Sequence, residues 1–261
     1  MKFSTHLQEN MAYFNEKLDV ASNFDVVYRV AKVGGRDACL YFVDGFTKDE
    51  VLLKIMQVWE SIKPEAMPKE VHDFSKQYFP YGEVGLLDKE EDVIVQLLTG
   101  ICCIFIDGYD RCLTIDCRTY PSRGVSEPEK DKVMRGSRDG FVETLIFNTA
   151  LIRRRIRDPK LTMEILTAGE SSHTDIAVCY MKGRVDTQML DRIKKRIQKL
   201  HVDALTMNQE SLAECLYPHK WYNPFPKFKF SERPDTAAAS ILEGNIIILV
   251  DNSPAAMILP S

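Results

Sequence analysis

The sequence has no glycine-rich loop that could cradle a phosphate, no His/Cys spacing that could hold a metal, and no G-x-S-x-G elbow around Ser122 or Ser253. These absences argue against a nucleotide-hydrolysing, zinc-dependent or serine-hydrolase chemistry. The five histidines are scattered, and none pairs with an Asp or Cys in a local motif. There is no basic excess: 34 Lys and Arg stand against 38 Asp and Glu, a net charge of −4. Nucleic-acid binding, which needs cations to displace counterions from phosphates, is therefore not expected. No apolar run reaches the roughly 18 residues of a membrane-spanning helix. The opening stretch MKFSTHLQENMAYF is polar and amphipathic, so no secretory signal is expected. The seven cysteines form no zinc-ribbon spacing, Cys112 and Cys117 included. They read as reduced, buried thiols of a protein on the cytosolic side.

What is present is the composition of a folded globular chain: 261 residues, 45% hydrophobic and 28% charged. One pattern recurs, an apolar strand running into a short turn with Asp, Gly or Asn. It appears in LYFVDGF (40–46), CIFIDGYDRCLTIDC (103–117), CYMKGRV (179–185) and IIILVDNSPAAMILP (246–260). Two such units fall in each half, which raises internal duplication as a reading, although the halves align only loosely.

In the first half the periodicity predicts a helix over 5–18, strands Phe24–Val33 and Ala38–Val43 turning at Gly34-Gly35, and helices Lys48–Ile62, Met67–Phe79 and Lys89–Thr99. The last is capped by Asp88 and followed by two strands. In the second half it predicts a helix Asp139–Arg157, strands Leu161–Ala168 and Asp175–Met181, and a helix Thr187–Leu200 capped by Asp186. A strand Val202–Met207, helices Gln209–Leu216 and Thr236–Leu242, and a terminal strand pair complete it. The expected fold class is α/β: two α/β subdomains, each a small mixed β-sheet flanked by helices. The subdomains are placed at 1–120 and 136–261. The linker between them, 121–135, nearly coincides with a Pro-, Ser-, Gly- and charge-rich stretch from roughly Arg118 to Met134.

Three constellations could carry function. Arg153, Arg154, Arg155 and Arg157 end a helix, where cations oppose the dipole. Arg118, Arg123, Arg135 and Arg138 precede that helix, with Glu127, Glu129, Asp131, Asp139 and Glu143 nearby. A plain helix end and an interdomain, inter-subunit or lipid-headgroup contact are both open; the acids favour ion pairs over nucleic acid. Asp44, Asp107, Asp116 and Asp251 follow apolar strands, where acid–base work is possible but Asx turns explain each one. The segment YPHKWYNPFPKFKFSERPD (217–235) interleaves aromatics with Lys220, Lys227 and Lys229. It reads as a loop pinned across a sheet or as a membrane-proximal surface through Trp221, Tyr222, Phe225 and Lys227. Single-stranded nucleic acid ranks last, given the negative net charge. The chain stays apolar through NIIILVDNSPAAMILPS, which suggests that it is one part of a longer protein.

Four stretches together resemble the GerA family of spore germination proteins, A-type subunits. They are YFVDGFTKDEVLLKIM (41–56), SRGVSEPEKDKVMRGSRDGFVETLIFNTALIRRRIRD (122–158), VDALTMNQESLAECL (202–216) and WYNPFPKFKFSERPDTAAASILEGNIIILVDNSPAAMILP (221–260). Within the family the chain is most similar to the stage V sporulation branch. The resemblance implies a pair of α/β subdomains facing the cytoplasm, the spore core side, with a helical membrane half after them. It implies partners: a transporter-like B subunit, a lipoprotein C subunit, further copies of the subunit itself and, for the stage V branch, a small membrane protein. It also implies a germinant-responsive ion channel or ion release in the spore inner membrane. No catalytic residue and no cofactor carries over, so the chain is not expected to be an enzyme. Arg123, Glu127, Arg153, Arg154 and Arg155 become candidate subunit or interdomain contacts. A small-molecule germinant bound between the two subdomains is the alternative reading.

Overall fold

The computed structural model describes residues 3–79, 83–119, 139–169, 173–199, 212–213, 216 and 228–260. The chain divides into two compact units, Met1–Tyr120 with Arg157–Pro159, and Pro121–Ile156 with Lys160–Ser261.

The first unit runs α1 (Leu7–Lys17), β1 (Val26–Val33), β2 (Arg36–Val43), α2 (Asp49–Glu60), a 3-10 turn (Pro64–Ala66) and α3 (Val71–Gln77). It continues with β3 (Val84–Leu87), α4 (Glu90–Leu98), β4 (Cys102–Ile106) and β5 (Cys112–Ile115). The five strands pair in the order β1-β2-β4-β5-β3, antiparallel at each pairing. The β1–β2 hairpin turns on Gly34 and Gly35, with φ of +52° and +82°. A Cβ on Gly34 would lie 2.3 Å from Met67 Cγ, so glycine supplies both the conformation and the space.

Successive residues of a strand point to opposite faces. Leu40 of β2 joins Ile55, Trp59, Phe74 and Ile104 in one core. Cys39 and Tyr41 join Phe14, Leu97 and Phe105 in the other. Helices α2 and α3 cover the first face, and α1 and α4 the second. That is why β4, CCIFI, is buried along its whole length. Each side chain such as Phe74, wholly removed from water, contributes roughly 2–3 kcal/mol.

The second unit runs α5 (Leu145–Arg155), β6 (Leu161–Ala168), β7 (Thr174–Met181) and α6 (Thr187–Gln198). The helical residues Leu212, Ala213 and Leu216 follow, then β8 (Lys229–Ser231), α7 (Pro234–Leu242), β9 (Ile246–Val250) and β10 (Ala256–Leu259). Its strand order is β6-β7-β9-β10-β8, again antiparallel at each pairing. This is the topology of the first unit, strand for strand. Leu190, Ile193 and Ile197 of α6 are buried where α2 buries Leu52, Ile55 and Trp59. Gly100 and Gly244, with φ of +98° and +103°, end α4 and α7 alike.

The two-subdomain α/β fold is as the sequence predicts, and four details differ. The sheets are antiparallel where mixed pairing was expected: in each unit, strands that follow one another in sequence pair directly (β1 with β2 and β4 with β5, β6 with β7 and β9 with β10). The edge strands β3 and β8 were not foreseen. The predicted helix Asp139–Arg157 begins only at Leu145, and the expected Asp88 cap on α4 is absent: Lys89 is the N-cap, with no side-chain bond. The expected strand Val202–Met207 and the linker 121–135 lie outside the described residues.

Candidate functional site

The strand-end carboxylates are the first candidates, and each is engaged in local architecture. Leu7, the first residue of α1, donates its N–H to Asp107 Oδ1 at 2.9 Å. Leu145, the first residue of α5, donates to Asp251 Oδ1 at 3.1 Å. The residue after each aspartate also binds back to the segment before the helix. Gly108 N–H donates to the Thr5 carbonyl at 2.8 Å, and Asn252 N–H to the Glu143 carbonyl at 2.8 Å.

An asparagine completes each arrangement. Asn10 Oδ1 accepts from Ser4 N–H at 3.2 Å, and its amide donates to the Ser4 carbonyl at 2.7 Å. Asn148 does the same to Val142, at 2.8 and 2.6 Å. In both units, then, the turn between the central strands and an asparagine on the first helix together fix how that helix enters the fold. Sequence reading marked the aspartates and missed the asparagines. The signal was available in the equal spacing of Leu7 to Asn10 and Leu145 to Asn148.

Asp44 accepts the Gly45 N–H at 2.9 Å, and burial pushes its carboxyl pKa up. Asp116 accepts from Arg118 Nε at 2.8 Å and Arg118 Nη2 at 2.5 Å, and that bonding holds it below the usual carboxylate range. Both are turn and strand-end devices. No group of three or more His, Cys, Asp or Glu side chains among the described residues is placed to hold a metal.

The arginine tract separates into three environments. Arg153 is wholly buried, and its Nη2 donates to the Leu161 carbonyl at the start of β6, at 3.3 Å. Arg155 is partly buried; it donates to the Leu151 carbonyl at 2.8 Å and to Asp139 Oδ2 at 2.5 Å. Arg154 lies exposed on the outer side of α5. Arg123 and Glu127 lie outside the described residues, as do Trp221, Tyr222, Phe225 and Lys227. The structure thus separates Arg153 to Arg155 by burial rather than presenting them as one patch.

The six cysteines among the described residues are buried. Burial pushes the Cys39 thiol up to about 12. Cys102 and Cys103 are raised by their hydrogen bonds to Cys117 and Cys112 and by burial. Raised, enclosed thiols are poor nucleophiles.

Comparison with known proteins gives a consistent picture. The family model described as Bacillus/Clostridium GerA spore germination protein matches residues 12–261. The chain is 34% identical to Stage V sporulation protein AF of Bacillus subtilis over 254 residues, 97% of this chain and 51% of that protein. It is 31% identical to Spore germination protein KA of the same organism over 265 residues, 99% of this chain and 47% of that protein. The chain therefore spans about half the length of the curated relatives it matches. Among solved structures, it superposes on the N-terminal domain of the A subunit of the Bacillus megaterium spore germinant receptor GerK3. The TM-score is 0.75 at 24% identity, covering 100% of this chain and 97% of that one, a likeness of fold.

Proposed function

The chain belongs to the GerA family of spore germination proteins, and we propose that it is the cytoplasmic, spore-core-facing module of an A-type subunit. In this reading it acts in the assembly and regulation of a germinant-responsive ion channel, or of ion release, in the spore inner membrane. The half-length match to its relatives supports a module that works beside a membrane-embedded part, with other germination subunits and further copies of itself as partners. No helix among the described residues is long and apolar enough to cross a membrane.

One observation carries the non-enzymatic part of the reading. The strand-end aspartates, the best acid–base candidates, are engaged in helix entry and turns in both units. Among the described residues, shape and surface charge are the features we take to carry function. A module of this kind acts by making different contacts in the open and closed states of its assembly, which biases their populations. Arg154 tests this, because among the candidate contacts Arg153, Arg154 and Arg155 it is the exposed one. Arg154→Glu is expected to lower the mass of the assembled germination complex on native mass spectrometry and to slow ion release from spores. The isolated module should keep its melting temperature to within about 3 °C. Normal assembly and ion release with Arg154→Glu would count against the proposal.

A further inference from the structure

The duplicated topology makes α2 and α6 a matched pair: same place in the fold, same buried stripe, different outer face. α2, DEVLLKIMQVWE, carries Asp49, Glu50 and Glu60 with Lys54 as its one base. α6, TQMLDRIKKRIQ, carries Arg192, Lys194, Lys195 and Arg196 with Asp191 as its one acid. The core fixes the apolar stripe of each helix, and the fold accounts for the outer charge only where a side chain is tied into its own unit.

Two of the α6 cations serve their own unit: Lys194 pairs with Glu164 at 2.5 Å, and Arg196 donates to the Leu216 carbonyl at 2.6 Å. Arg192 and Lys195 lie exposed, one helical turn apart. The outer face of α2 carries Leu53, which is 58% exposed, between the exposed acids Glu50 and Glu60. An exposed leucine flanked by carboxylates fits a partner face of long basic side chains, whose methylene stems cover apolar surface while their heads reach the acids.

We propose that the outer face of α6 on one copy of this chain docks against the outer face of α2 on a second copy. The contact joins two different faces, so it is two-fold where both faces of one copy meet the same neighbour, and runs head to tail into a ring or filament where they meet different neighbours. The proposal rests on the self-association in the reading above and names the surfaces that carry it.

Sedimentation velocity on the 261-residue chain tests it, over a concentration series at about 0.05 and about 0.5 M salt, because exposed charge pairs are screened over this range. Self-association that weakens with salt is expected. The pair Arg192→Glu/Lys195→Glu and the pair Glu50→Lys/Glu60→Lys should each weaken it about tenfold or more. Mixing the two variant chains should bring association back to within about threefold of the original, since the reversed faces again complement each other. All four positions are exposed, and unchanged thermal melts will confirm that the variants fold.

Association that ignores both pairs overturns this interface while leaving the assembly reading to the Arg154→Glu experiment. A chain that stays monomeric at every concentration overturns it as well. So does a basic face whose reversal abolishes binding to phosphatidylserine vesicles but leaves association between chains untouched, which would make the α6 surface a lipid contact.

Discussion

Arg153 and Asn15 hold the same position on the first helix of their units, each five residues after the clamping asparagine. Asn15 takes a hydrogen bond from Tyr41 Oη at 2.8 Å. Tyr41 pairs across the sheet with Tyr28 and Cys103, and the matching β7 residue, Cys179, pairs with Met163 and Ile247. The first unit therefore fills this spot with a long side chain from the strand and a short one from the helix, and the second unit does the reverse. Arg153 is a core residue in this arrangement, whatever its charge suggests. Truncation to alanine removes a donor from the Leu161 carbonyl and leaves a void where a long side chain lay. Arg153→Ala is expected to destabilise the chain by about 3 kcal/mol, whereas Arg154→Ala changes stability by about 0.5 kcal/mol or less. Urea unfolding of the two variants side by side measures the difference, and equal effects would show that burial is not what separates them. Sequence reading grouped Arg153, Arg154 and Arg155 because composition shows charge and not depth.

At the scale of the element, the legible boundaries are those set by neighbours in the chain. The α6 start was readable because its cap is local: Asp186 accepts from the N–H groups of Gln188 and Met189. The β1–β2 turn was readable because Gly34-Gly35 announces it. The α5 start was not readable, because its capping carboxylate is Asp251, which comes from the far end of the unit. The predicted start at Asp139 precedes the observed one at Leu145. The edge strands β3 and β8 escaped notice for another reason: β3 is half-buried without alternation, and β8 has three residues. The capping argument has a measurable consequence. Asp251→Ala leaves the Leu145 N–H without its acceptor and should cost about 1 kcal/mol. Asp251→Asn keeps an acceptor oxygen and should cost less. Asp107→Ala should cost a similar amount through Leu7. Denaturant midpoints report all three, and an Asp251→Ala variant as stable as the parent would remove the cap from the explanation of where α5 begins.

At the scale of the molecule, the four strand-and-turn segments read from the sequence fall into two matched pairs. LYFVDGF corresponds to CYMKGRV at the end of the second strand, and CIFIDGYD to IIILVDNS at the central hairpin. The repeat is kept in slots rather than letters: Asp107 matches Asp251, Asn10 matches Asn148 and Gly45 matches Gly183, while the residues between them differ. A loose alignment of the halves is what such conservation of geometry leaves behind. If each unit is a complete α/β layer structure, the first should fold without the second. Among the described residues its five strands pair with one another, and both of its apolar clusters draw on residues up to Cys117. About 120 residues is also an ordinary size for a domain with its own core. A fragment of residues 1–120 is therefore expected to give a single cooperative urea transition and a near-ultraviolet circular dichroism signal from its packed aromatics, Trp59, Phe74 and Phe105 among them. A fragment with helical far-ultraviolet signal but neither of these features would mean that the unit's packing depends on the rest of the chain, and the two-subdomain description would then hold for topology but not for stability.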